Sequence, residues 1–113
     1  MHDDLHEFKA DFFKALGNPL RLRILDALRD HEKSVSMLQD ELAVEQSTLS
    51  QQLSILAKKG FIVSRKEGTL NFYRVKDPDV YRLLDLGRTL FERHLQSSQR
   101  LLDALSSVEP RNK

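Results

Sequence analysis

A mainly α-helical fold carrying one small β-hairpin is predicted by three features of this 113-residue sequence. Apolar residues recur at helical spacing through most of the chain. The period shortens to that of paired strands only between Phe61 and Val75, and glycine, asparagine and proline mark the joints. The length suits one domain, expected to span 1–113, with a core over about 5–107 and a flexible tail at 108–113.

The elements follow in order. Over about Asp4 to Leu16, the residues Leu5, Phe8, Phe12 and Leu16 fall on one side of a helix, and Phe13 and Ala15 widen the stripe. Gly17-Asn18-Pro19 closes that helix and opens the next, because Gly suits a helix end, Asn caps and Pro is tolerated in a first turn. The second helix, Pro19 to about Arg29, is expected to bury Leu22, Leu25 and Leu28 with Ile24 alongside. Ser34 or Ser36 caps a short third helix ending near Leu42, and a tight turn leads to a fourth at about Gln46 to Lys59, which Gly60 ends. "FIVSRKEGTLNFYRV" is rich in β-branched and aromatic residues on both sides of Glu67-Gly68, which reads as a hairpin. Asp77-Pro78 then opens a long last helix. Its stripe of Val80, Leu83, Leu84, Leu90, Phe91, Leu95, Leu101, Leu102 and Leu105 is longer than one small domain covers, so part of it is expected to pack on another subunit.

Composition excludes several functions. With no cysteine there is no disulfide framework, thiolate metal ligand or cysteine nucleophile. No apolar run approaches the roughly 20 residues that span a bilayer, and the N-terminal "MHDDLHEF" is acidic rather than signal-like, so a soluble cytoplasmic protein is expected. Phosphate-binding Gly-rich loops, nucleophile motifs and metal-ligand sets are lacking, which argues against an enzyme; no cofactor is expected. The net charge is only +1. Its distribution is uneven, however: Lys58, Lys59, Arg65, Lys66, Arg74 and Lys76 stand against the single acid Glu67.

The fourth helix, "QSTLSQQLSIL" from Gln46 to Leu56, has an unusual outer face. If Leu49, Leu53 and Leu56 turn to the core, Ser47, Thr48, Ser50, Gln51 and Ser54 point outward, with Gln46 at the entrance. Short hydroxyls allow close approach to a groove wall, and Gln makes paired hydrogen bonds to an adenine edge. Two short helices joined by a tight turn and followed at once by a basic hairpin is the order of a winged helix-turn-helix. Lys58, Arg65, Lys66 and Arg74 would then meet the DNA backbone. A Ser/Gln-rich face taken alone is more often merely solvated, and winged helices also serve as protein-interaction modules; the second reading is the alternative here.

"ALGNPLRLRILDAL", Ala15 to Leu28, resembles the second-helix signature of the ArsR/SmtB repressors, and "QSTLSQQLSILAKKGFIVSRKEGTLNFYRV" is similar to that family's recognition helix and wing. The resemblance covers about Leu5 to Phe91. It implies a homodimeric transcriptional repressor on double-stranded DNA, with half-sites of a palindromic operator roughly 34 Å apart. It also implies a dimer interface of first and last helices, drawing on Leu5, Phe8, Phe12, Leu90, Phe91, Leu95, Leu101, Leu102 and Leu105.

The departures from the family pattern concern its effector. Where many members carry a Cys-Val-Cys metal-binding run, this chain has Ser34-Val35-Ser36, and hydroxyls are poor ligands for soft metal ions. Where others carry Asp-x-His followed by His and Glu, it has Asp77-Pro78-Asp79, Leu90 and Arg93. Neither familiar metal site is expected. Gln52 stands where many members have His, Glu45 replaces a frequent Ser, and Thr69 replaces a frequent basic residue at the wing tip. His2 and His6, four apart on a helix, with His94 from a partner's last helix, form a weak candidate nitrogen/oxygen metal site; the plainer reading is that they are solvated. The effector stays open between a small molecule, an unfamiliar metal site and none.

Overall fold

A computed structural model describes residues 3–108. The chain divides into two compact units, Met1–Pro78 and Asp79–Lys113. The first holds α1 (Asp4–Leu16), α2 (Pro19–Ala27), β1 (Lys33–Ser34), α3 (Val35–Leu42), α4 (Gln46–Lys58), β2 (Ile62–Glu67) and β3 (Leu70–Val75); the second is α5 (Asp79–Val108). The expected tail lies, from 109 onward, outside the described residues.

Local chemistry accounts for the helix boundaries. Asp3 caps α1 by accepting from the His6 amide at 3.3 Å, and Asn18 caps α2 by accepting from the Arg21 amide at 3.0 Å, with Pro19 in the first turn. Of the two serines, Ser34 is the cap of α3, its hydroxyl accepting from the Met37 amide at 3.2 Å. The hairpin closes through two residues between the Glu67–Leu70 pair, and the first of them, Gly68, takes φ 63°, the position at which a type II′ loop takes glycine.

The wing has a third strand that no sequence periodicity announces. The sheet is antiparallel in the order β1-β3-β2, with Lys33 opposite Tyr73 and Ser34 opposite Phe72. Two residues are too few to carry an alternation, so β1 exists because β3 offers an edge to pair with. Ser34 therefore both pairs in the sheet and caps α3, which ties the wing to the first helix of the helix-turn-helix.

The core of this unit is Ile24 and Leu25 of α2, Leu38 of α3, Leu49, Leu53 and Leu56 of α4 and Ile62 of β2, all fully buried. Each such side chain stabilises the fold by roughly 1.5–3 kcal/mol through lost apolar exposure. Leu22, expected among them, is only half-buried. The inward side of α2 runs through Arg21, Ile24, Leu25 and Leu28, and Leu22 falls outside that arc. Phe12, expected at a subunit interface, is half-buried within its own unit, its ring 4.9 Å from that of Phe61.

Two arginines of α2 bind the ends of neighbouring helices. Arg23 donates to the Leu42 carbonyl at the end of α3 at 2.9 Å. Arg21 donates from Nε to the Ala15 carbonyl at 2.6 Å and from Nη1 to Oε1 of Gln52 at 2.9 Å, so one guanidinium joins the end of α1 to the middle of α4. Cations at helix C-termini satisfy orphan carbonyls and complement the helix dipole.

In the second unit, α5 is 30 residues long, about 45 Å of helix. Arg88–Glu92 at 3.0 Å and Gln99–Asp103 at 2.9 Å line its polar side. Leu86, Leu90, Phe91, Leu95, Leu101, Leu102 and Leu105 are each more than half exposed.

Two stability outcomes are expected. Ala43, ending α3 at φ 54° and ψ 49°, is in the left-handed region that favours glycine, so Ala43→Gly should stabilise the chain by about 0.5–1 kcal/mol and raise the thermal midpoint. Arg21→Ala should lower stability in urea titration by about 1.5–3 kcal/mol, whereas Gln52→Ala, which leaves the Ala15 bond in place, should cost only about 1 kcal/mol. Equal losses would mean that the bond to α4 carries the whole effect.

Candidate nucleic-acid interface

The exposed face of α4 follows from what the helix buries. With Leu49, Leu53 and Leu56 turned inward, Ser47, Gln51, Ser54 and Lys58 form a ridge on the opposite side at i, i+4, i+7 and i+11, all exposed. Thr48 and Ser50 flank the ridge and are exposed as well. A ridge of hydroxyls and one amide, ending in a cation, presents hydrogen-bonding groups without the bulk or fixed sign of a charged face. Gln46 stands apart from the ridge. It lines a cleft of about 240 Å3 with Ser36 and Gln39 of α3 and Thr69, Leu70 and Asn71 of the wing. Glu45, at the N-cap of α4, makes no side-chain capping bond.

The wing cations do not act as one group. Arg65 lies opposite Phe72 and Arg74 opposite Val63, so both arginines share one face of the hairpin, while Lys66, opposite Asn71, lies on the other. Lys66 and Arg74 are exposed. Arg65 is already engaged: its Nε donates to both carboxylate oxygens of Glu32 at 2.9 Å, Nη2 also bonds Glu32, and Nη1 donates to Glu67 at 2.9 Å. Its guanidinium lies 4.7 Å from the centre of the Phe72 ring. The hydrogen bonds from Arg65, helped by the positive charges of Arg65 and Arg74, hold the Glu32 carboxyl below the ordinary carboxylate range, against a smaller upward push from burial. The carboxylate thus stays ionised through the neutral range. What this pair contributes is present above the ordinary Glu titration and is lost as the pH falls through the lowered titration of Glu32.

Counting charge along the chain therefore overstates the basic stripe. Lys59 donates to Asp11 of α1 at 3.2 Å, and Arg65 pairs with Glu32. Both acids come from outside the stretch that seemed uniformly basic. Lys58, at the end of the α4 ridge, is exposed. Glu32 and Arg21 are the residues that sequence reasoning missed; each acts on a partner more than 30 positions away, and no local pattern announces such a pair.

The remaining candidates separate. Leu5 and Phe8 of α1 are exposed, as are the α5 residues of the expected interface. His6 is bound through Nδ1 to Asp3 at 2.6 Å, His2 lies outside the described residues, and His94 belongs to α5. Among the described residues no group of three or more His, Asp or Glu is placed to hold a metal ion. No described helix is long and apolar enough to cross a membrane.

Comparison with known proteins places this geometry in a family. The model of the arsR family of bacterial regulatory proteins matches residues 18–64, which hold α2, α3, α4 and the start of the wing. The uncharacterized HTH-type transcriptional regulator Rv0081 of Mycobacterium tuberculosis is 36% identical over 104 residues, 91% of each chain. Its crystal structure superposes with a TM-score of 0.77 over 86% of this chain and 98% of that one. The homodimeric winged helix-turn-helix DNA-binding domain of Mb0332 from Mycobacterium bovis, a possible ArsR-family regulator, is 33% identical with a TM-score of 0.75, covering 86% of this chain and 93% of that domain. The biofilm growth-associated repressor of Xylella fastidiosa is 33% identical over 82 residues, 73% of this chain and 72% of that protein. With its helix-turn-helix, its three-stranded wing and this likeness along nearly its whole length, the chain belongs to the ArsR family and is a winged-helix DNA-binding transcriptional regulator.

Proposed function

We propose that two copies of this chain bind a palindromic operator and repress transcription by occupying promoter DNA, acting in the cytoplasm. The ridge Ser47-Gln51-Ser54-Lys58 carries this reading: it enters the major groove with Gln51 on a base edge, Ser47 and Ser54 close to the groove wall and Lys58 on phosphate. Thr48 and Ser50 flank that contact, Gln46 meets the groove from the wing side, and Lys66 and Arg74 reach backbone phosphates. Pairing of α1 and α5 with their counterparts covers Leu5, Phe8 and the exposed leucines of α5, and sets the half-sites roughly 34 Å apart. The homodimeric state of the Mb0332 domain and the repressor from Xylella support this arrangement. Without cysteine, the chain has no thiolates with which to sense a soft metal ion.

Fluorescence anisotropy of the metal-stripped protein, on DNA from upstream of its own gene and on a scrambled duplex at matched salt, tests the proposal. Preference for the upstream DNA by about a thousandfold is expected. Gln51→Ala should then remove about 1–3 kcal/mol of that preference, while Lys58→Ala should weaken both duplexes alike and flatten the salt dependence by about one phosphate per protomer. Weak and equal binding to both duplexes would favour a winged helix that serves a protein partner.

A further inference from the structure

We infer that Glu32 is a specificity-determining residue: it occupies the guanidinium of Arg65 in place of a DNA phosphate and so suppresses sequence-blind binding by the wing. The inference rests on the DNA-binding reading above and deepens it. A carboxylate taken through Nε and Nη2 at once is the arrangement by which arginine also grips a phosphate, so the fork that would serve DNA is filled from within the chain. Glu67 takes the remaining Nη1.

The sheet explains why this pairing forms. In register, Ser34, Phe72 and Arg65 lie in one row across β1, β3 and β2, and Glu32 stands two residues before Ser34. Arg65 extends over the Phe72 ring to reach across β3, with the ring 4.7 Å beneath the guanidinium. The third strand thus brings an acid to the wing from the segment between α2 and α3. Arg74 shares this face and adds to the positive potential that keeps Glu32 ionised.

Sequence-blind affinity comes from cations that displace counterions from the phosphate backbone. A wing arginine already neutralised by Glu32 and Glu67 adds little to it, because every phosphate contact must first break a contact of similar kind. Once α4 is seated on its bases, a phosphate held beside the wing exchanges with Glu32 at the fork. Arg65 then contributes to the specific complex and not to passing encounters.

The test is a double-mutant cycle of wild type, Glu32→Gln, Arg65→Ala and the double variant, read on the scrambled duplex, on upstream DNA and on a heparin column. Glu32→Gln should tighten binding to the scrambled duplex by about threefold to fivefold per protomer, the scale of an exposed ion pair. It should also steepen the slope of log K against log salt by about 0.9 per protomer and elute later from heparin. The gain on upstream DNA should be smaller, so that the preference ratio falls. In the Arg65→Ala background the gain should vanish. A gain that persists without Arg65 would reflect net charge alone and overturn the inference, as would weaker binding by Glu32→Gln, which would show that the acid arranges the wing for DNA. Thermal melts of all four proteins guard against an unfolded variant; Glu32→Ala replaces a failed Glu32→Gln, and Arg65→Gln a failed Arg65→Ala. If wild type prefers neither duplex, the functional reading fails, and the heparin cycle still decides whether Glu32 masks Arg65.

Discussion

The burial of three leucines on α4 is the constraint on which the rest depends. Leu49, Leu53 and Leu56 are fully enclosed, and with them fixed a helix has no rotational freedom left. The chemistry of the outer face of α4 follows from that lock. Ser47, Gln51, Ser54 and Lys58 face outward because the opposite side cannot, and a rotation of one residue would exchange leucine for glutamine in the core.

The packing around this helix is reinforced by polar contacts at its edges rather than by a larger core. A unit of this size buries little apolar surface per residue, so single hydrogen bonds of about 1 kcal/mol matter to its stability. Arg21 bonds the last turn of α1 and Gln52 of α4, Arg23 bonds the last carbonyl of α3, and Ser34 caps α3 while pairing with β3. Each contact joins two elements. Together they hold α4, wing and first helix in one arrangement, as the proposed docking to DNA requires.

Charge is distributed with the same economy. The stretch from Lys58 to Lys76 looks strongly basic, yet Asp11 and Glu32 fold back onto it and neutralise Lys59 and Arg65. Lys58 on the outer face of α4 is exposed, as are Lys66 on one face of the wing and Arg74 on the other. Under the proposed function, pairing part of the basic stretch with acids shifts weight from phosphate contacts to base contacts, and an uncharged ridge of serines and glutamine suits that balance.

The sequence alone determined the order of helices and hairpin, the cap at Asn18, the turn at Gly68 and the outward face of α4, and it narrowed the cap of α3 to Ser34 or Ser36. All of these rest on interactions within a few residues or on a helical or strand period. Leu22 was misplaced because periodicity counts apolar residues and cannot see that Arg21, with its bonds to α1 and α4, takes the inward position. The third strand, the tie between Arg21 and Gln52 and the capture of Arg65 by Glu32 were decided only by tertiary structure. Their partners lie 31 to 40 positions apart, and a hydrogen bond between such residues depends on where the whole chain has already been folded, not on any spacing written along it.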